Sequence, residues 1–231
     1  LAAWATVKRN LTNSWHHKQW CELALDERIS RLCVVAPRDH CKSEVFSVEL
    51  PSHKTLYVPN HWTYIFSRTG PLADEILKRC VEAMREAEPE ALRNPRKWNL
   101  KDKQLANGAR ITASGVGTSV RGGHPDLIIC DDILDEKNSA TDYQRKKVLT
   151  WFTGTVTPMA HPRTKIIVVG TPQHQLDLLM GYLQYNIEYL WLCYPAEIAD
   201  ELYEEYRSGR HIEIAMKERG LLSAEGDYHY A

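Results

Sequence analysis

The sequence predicts an α/β fold, a three-layer sandwich in which helices cover both faces of a mostly parallel central sheet. Three observations predict it. Short apolar runs recur at residues 32–36, 127–130, 165–170 and 189–194, and they lack the polar alternation of a sheet with one wet face. Between the runs lie stretches with helical spacing. The clearest is 71–88, where Leu72, Ile76, Leu77, Cys80, Val81 and Met84 share one stripe behind a first-turn Pro71. Three runs also end in groups able to handle phosphate, which is where an open parallel sheet binds its ligand.

Size and composition narrow the function classes. A chain of 231 residues can bury one sizeable α/β core, and 43% hydrophobic with 26% charged residues is the balance of a globular protein, not a disordered one. The net charge of −1 excludes a chain that coats nucleic acid over its whole surface, so any DNA contact must come from local patches. No apolar run approaches membrane-spanning length and no basic-then-apolar leader opens the chain, so a soluble intracellular protein is expected. The six cysteines show no C-x-x-C spacing and read as buried, reduced thiols. The ten histidines lack the i, i+4 spacing of a helical metal site.

Taken in order, residues 1–30 carry Trp4, Trp15 and Trp20, with apolar residues that fit one helix side only loosely. Two readings stand: an aromatic cover for a purine base with Gln19 offering an amide to an adenine edge, or a helix packing Trp15 and Trp20 onto the core. The run 32–36 reads as a buried strand. It leads through Pro37, Arg38, Asp39, His40 and Cys41 to Lys42 and Ser43, where a helix can start. A strand, a phosphate-sized loop, a lysine and a hydroxyl at a helix start form an anion site, because unpaired backbone N–H groups and the positive helix end face one point. In a P-loop of this kind Lys42 reaches the outer phosphates and the Ser43 hydroxyl ligates Mg²⁺. Pro37 and Cys41 occupy the two places where that pattern has glycine, and Cys41 matters more because glycine there permits a positive φ. The alternative is a plain strand–turn–helix with a surface Lys-Ser.

A short helix over 45–50 is expected to close at Pro51, with 52–61 a connection and 62–67 a second strand. The segment 93–103 mixes Arg93, Arg96, Lys97, Lys101 and Lys103 with Trp98. It reads either as a phosphate contact or as a solvated loop. Asn107-Gly108 between alternating residues signals a hairpin. The run 127–130 ends in Asp131-Asp132, where one carboxylate can hold Mg²⁺ and the second can orient or deprotonate a water. The run 165–170, preceded by a helix over 142–152, ends at Thr171, whose hydroxyl would lie near a γ-phosphate. A strand over 189–194 and two helices over 197–207 and 212–218 complete the chain.

Four segments, HHKQW (16–20), APRDHCKS (36–43), SVRGGHPDLIICDD (119–132) and VVGTPQHQLDL (168–178), give the chain a family likeness from about residue 15 to 200. It resembles the ATPase domain of the large terminase subunit of tailed bacteriophages and related viruses. The resemblance implies a P-loop NTPase fold of the RecA/ASCE-like kind, with ATP and Mg²⁺ as cofactors. Residues 37–43 would hold the nucleotide, Gln19 would serve the adenine side, and Ser43 with Asp131 would hold the metal. Arg38 would contact the γ-phosphate, Thr171 would couple hydrolysis to motion, and Arg121 would enter a neighbouring subunit's site. Asp132 stands where many members have Glu, so water activation falls to Asp132, or to Asp135 or Glu136. The implied partners are double-stranded viral DNA, the portal protein, the small terminase subunit and further copies of the chain in a ring, without a membrane. The implied location is the host cytoplasm and, transiently, the procapsid. The division expected is an adenine-side segment (1–30), an ATPase core (31–195) and a helical segment (196–231) leading towards a nuclease domain that this chain lacks. A helicase-like P-loop ATPase and a nucleotide-binding structural module without turnover are the alternatives.

Overall fold

The computed structural model describes residues 1–118, 120 and 122–222. Two helices, α1 (Ala2–Arg9) and α2 (Trp15–Leu25), lead into strand β1 (Arg31–Val35) and, past the loop, into a π-helical turn (Glu44–Glu49) continuous with α3 (Leu50–Tyr57). Strand β2 (Trp62–Ser67), helix α4 (Gly70–Ala87), the short β3 (Lys97–Trp98) and β4 (Asp102–Gln104), and β5 (Arg110–Gly115) follow. The second half runs β6 (Leu127–Asp131), α5 (Glu136–Ser139), α6 (Asp142–Trp151), α7 (Thr157–Met159), β7 (Lys165–Gly170), β8 (Leu190–Cys193), α8 (Asp200–Arg207) and α9 (Arg210–Glu218).

One eight-stranded sheet takes the order β3-β4-β5-β2-β6-β7-β1-β8. Every pair from β5 to β8 is parallel, and only the β3–β4–β5 edge is antiparallel. The strand side chains alternate between two buried faces. Leu32, Val34, Leu127, Ile129, Ile167 and Val169 meet Trp20, Leu23, Phe46, Leu77 and Met84 on one side. Cys33, Val35, Ile128, Cys130, Ile166 and Val168 meet Val148, Phe152 and Leu183 on the other. Burial on both faces is why these strands read as continuous apolar runs. The three-layer, mostly parallel sandwich is as expected. All six cysteines are unpaired, and among the described residues no helix is long and apolar enough to cross a membrane.

Two local expectations are corrected. Pro51 does not close a helix: it sits in the first turn of α3, and the helix from Lys42 continues to Tyr57, so 52–57 is helical rather than a connection. The proline lacks the N–H that would serve the Ser47 carbonyl four residues back. The backbone widens into a π turn at that place, and the Cys80 thiol donates to the Ser47 carbonyl instead (3.2 Å). The basic segment 93–103 is likewise not all loop, since β3 and β4 form a ribbon at the sheet edge. Within it Lys97 pairs with Asp102, which also holds Arg110 of β5, Arg93 pairs with Glu90, and Lys103 lies over the Trp98 ring.

Candidate active site at the carboxyl ends of β1, β7 and β6

The order β6-β7-β1 sets the three predicted phosphate-handling strand ends side by side. After β1 the chain turns through a loop in which Asp39 (φ 64°) and Cys41 (φ 55°) take the left-handed conformation. Cys41 therefore adopts the backbone for which glycine is ordinarily used, at a steric cost. The helix then starts at Lys42, and the Cys41 carbonyl accepts the Val45 N–H (3.1 Å).

Lys42 is buried, and its ammonium donates to the Pro37 carbonyl and to Thr171 Oγ1, both at 3.1 Å. Thr171 Oγ1 donates in turn to the Ala36 carbonyl (3.0 Å). Ser43 Oγ donates to Asp131 Oδ1 (2.9 Å). Loop, β7 end and β6 end are thus stitched by polar side chains. Burial pushes the Asp131 carboxyl up to about 6, against the Ser43 hydrogen bond that pulls it down. A hydroxyl–carboxylate pair with the carboxylate buried at a strand end offers oxygen donors of the kind a hard cation takes, and an arriving cation would hold Asp131 ionised. The residues present fit Mg²⁺ at Ser43 and Asp131 and phosphate at Lys42.

Asp132 follows with φ 46°, its N–H on the Val169 carbonyl (2.9 Å), so the strand turns sharply and its carboxylate stands beside Gly170. It lines a cleft of about 180 Å³ together with Ser43, Asp131, Arg68, Glu75 and Arg79. The other two carboxylates considered for water activation are placed differently. Asp135 caps α5 by accepting the Asn138 N–H (2.8 Å) and lies 3.7 Å from Arg68. Glu136 is an exposed first-turn residue of the same helix. Of the three, only Asp132 lines the cleft. Arg38 is exposed on the loop, where its carbonyl accepts His40 Nδ1–H (2.9 Å). Arg121 lies outside the described residues.

Gln19 is committed inside the protein. Its amide donates to the Tyr206 and Arg207 carbonyls (2.8 and 3.1 Å), and its oxygen accepts the Tyr194 hydroxyl (3.3 Å). It ties α2 to α8 and to the end of β8 and presents no free amide to a base. Trp20 is core, packed on Phe46 and Tyr194. Beside the phosphate loop there is nevertheless an aromatic cavity of about 280 Å³, walled by Trp15, His16, His40, Tyr194, Pro195 and Tyr203. His17 anchors α2 to that loop, its Nε2–H donating to the His40 carbonyl (3.2 Å). Burial, ahead of the neighbouring His17 and His40, holds His16 down at about 4, so its ring is neutral near pH 7.

Sequence reasoning missed Tyr194, Pro195 and Tyr203, and also Arg68, Glu75 and Arg79. For Arg68 a signal existed, because it directly follows a predicted strand. Arg79 and Glu75 are polar-face residues of α4, and nothing in their spacing separates them from solvated neighbours. Arg79 pairs with Glu44, directly after Ser43, and Arg9 of α1 binds Glu44 and Glu49, so the base of the phosphate-loop helix is clamped from two sides.

The sheet order and the helices on both its faces match the fold of RecA/ASCE-like domains. In sequence and in fold the chain is similar to large terminase subunits of bacteriophages. It is 28% identical over 111 residues to the terminase large subunit of Enterobacteria phage T3, a match covering 47% of this chain and 18% of that one. Its fold is similar to the HK97 bacteriophage large terminase (TM-score 0.57, 13% identity, 90% of this chain and 47% of that chain). It is also similar to the large-terminase ATPase domain of Thermus phage P74-26 (TM-score 0.50, 16% identity, 84% and 86%). No protein-family model matches the chain. The chain therefore spans a minor part of the phage T3 protein and about half of the HK97 protein.

Proposed function

We propose that this chain is the ATP-hydrolysing domain of a viral DNA-packaging motor. The observation that supports this most directly is the pair of polar stitches, Lys42 to Thr171 and Ser43 to Asp131, across three adjacent strand ends. Phosphoryl transfer asks mainly for positioning and charge neutralisation. Lys42, already desolvated, would exchange its contacts with Pro37 and Thr171 for phosphate oxygens. The left-handed residues Asp39 and Cys41 would turn backbone N–H groups towards the same anion. Ser43 and Asp131 would hold Mg²⁺, which supplies neutralisation of the charge on the outer phosphates. Asp132, turned into the cleft, would accept a proton from or orient the attacking water. Thr171, hydrogen-bonded to Lys42, would sense a change of the lysine's partner and pass it along β7. A base would lie in the aromatic cavity between Trp15, His40 and Tyr203.

Arg121 acting in a neighbouring copy, Arg38 at the γ-phosphate, a ring of copies, double-stranded DNA, the portal protein and the small subunit are proposed on the family resemblance. A loop too degraded for turnover is disfavoured by Cys41, which already takes the conformation a glycine would. The test is Mg²⁺-dependent ATP turnover with and without double-stranded DNA. Lys42→Ala should lower turnover by about 10²–10³-fold, and an unchanged rate would refute the loop assignment.

A further inference from the structure

The phosphate-loop helix carries an ion-pair cluster that the proposed chemistry does not use. Glu44 directly follows Ser43, and its two carboxylate oxygens have different partners: Oε1 accepts Arg9 Nη1–H from α1 (2.8 Å), and Oε2 accepts Arg79 Nη2–H from α4. Arg79 also lines the cleft shared by Ser43, Asp131 and Asp132. Arg9 reaches further. The same Nη1 donates to Glu49 Oε1 at the far end of the π-helical turn, and its Nε–H donates to Glu86 Oε2 on α4 (2.8 Å).

Burial separates this cluster from an ordinary surface pairing. The Arg9 side chain is 12% exposed and that of Glu49 only 3%, and Glu49 Oε2 has no hydrogen-bond partner. Removing one member of such a pair leaves the other charge desolvated and uncompensated. A single planar guanidinium here joins three carboxylates from two elements, which its fork of donors suits and a lysine ammonium does not. Apolar burial gives α1 little hold of its own, since Ala5 is its one buried residue and Val7 points to solvent. Its other side-chain contacts, Trp4 to Tyr57 and Lys8 to Glu88, lie in the open.

We infer that Arg9 is a positioning residue of the nucleotide site: by fixing Glu44 it fixes the adjoining Ser43, whose hydroxyl meets Asp131 in the pair proposed to hold Mg²⁺. The inference rests on that reading of Ser43 and Asp131 and adds the group that sets their geometry. Ser43 and Glu44 share a peptide unit, so movement of one is movement of the other. Lys42 keeps separate bonds to Pro37 and Thr171. Loss of Arg9 therefore falls on the cation more than on the phosphates.

The experiment uses the whole chain and a fluorescent ADP analogue, whose Kd is measured with Mg²⁺ and with EDTA, beside urea melts. Arg9→Met is expected to unfold at lower urea and to lose about tenfold of the Mg²⁺-linked gain in affinity, with the Mg²⁺-free Kd within about threefold of wild type. Adding Glu49→Gln removes the stranded carboxylate, so the paired variant regains stability and keeps the Mg²⁺ defect. Arg9→Lys, which retains the charge without the fork, falls between. If Arg9→Met does not fold, the paired variant carries the same comparison. A Mg²⁺-linked gain equal to wild type in Arg9→Met, or one restored together with stability in the paired variant, would overturn the inference and leave the ATPase proposal standing. A wild type that binds the analogue equally with Mg²⁺ and with EDTA would overturn the Mg²⁺ assignment and this inference with it.

Discussion

The two ends of the parallel sheet are built on opposite plans. At the carboxyl ends, polar side chains bind one another across three strands, and Asp39, Cys41 and Asp132 hold left-handed backbone. Elsewhere among the described residues only Asn10 and Asn60 share that conformation outside glycine, and asparagine tolerates it best. At the amino ends the wall is ordinary backbone with an apolar floor, the basic Lys54, Arg163 and Lys165 offset by Asp26, Glu27 and Asp126, and a buried His61 nitrogen without a hydrogen-bond partner. Strain and preformed bonding thus gather where chemistry is proposed, and the other end lacks that combination.

The sharpest test of this contrast is at Asp132. Asp132→Asn should lower ATP turnover by about 10²–10⁴-fold. Asp135→Ala, which removes a helix cap, should cost about 1 kcal/mol of stability and leave turnover within a few-fold. Equal losses of turnover would erase the distinction between the cleft carboxylate and the cap.

Breaking the amino end should cost stability and not activity. Lys165→Met leaves the Leu23 and Asp26 carbonyls without their donor. At roughly 1–3 kcal/mol per abandoned buried group, it should lower unfolding free energy by about 2–4 kcal/mol in urea melts, with turnover per folded molecule preserved.

The His61 imidazole gives that end its own pH signature. Its folded value of about 4 lies below the ordinary 6.5, because burial disfavours the charged ring. Its contribution is therefore present above pH 6.5 and is lost as pH falls through about 4, with a size on the order of 3 kcal/mol. His16, His53 and His211 are depressed in the same way and add to the acid loss. The diagnostic quantity is the difference between wild type and His61→Gln, which should lose less stability between about pH 7.5 and about pH 4.

The smallest effect belongs to the phosphate loop. Cys41→Gly removes a left-handed penalty of about 1–2 kcal/mol but adds unfolded-chain entropy of about 0.4–1 kcal/mol. The expected net gain is about 0.5–1 kcal/mol in denaturant melts, absent in Cys41→Ala, which keeps the Cβ.

Much of the fold could be read from the residues because its periods are local. Buried strands announce themselves by unbroken apolar runs, and α4 by its stripe ending at Met84. Asp131 and Thr171 stand out because each directly follows such a run, and Lys42 and Ser43 because they lie one short loop beyond another. Pro51 was misread because the remedy for its missing N–H, a widened turn and a thiol from Cys80, comes from a residue 29 positions on in the chain. Gln19 was placed beside the base from its motif, yet its amide partners lie on α8, about which its neighbours in sequence say nothing.

The amino-acid sequence alone determined the α/β class, the strands and the polar residues at their tips, since hydrophobic period and chain adjacency act over a few residues. Tertiary structure decided that β6, β7 and β1 lie side by side, that Cys41 and Asp132 turn left-handed, that Asp132 rather than Asp135 lines the cleft, and that Lys54, His61 and Arg163 share one cavity. Those outcomes depend on which distant segments bury one another's surface. That choice is made by the free energy of the whole packed chain, and no short window of sequence carries it.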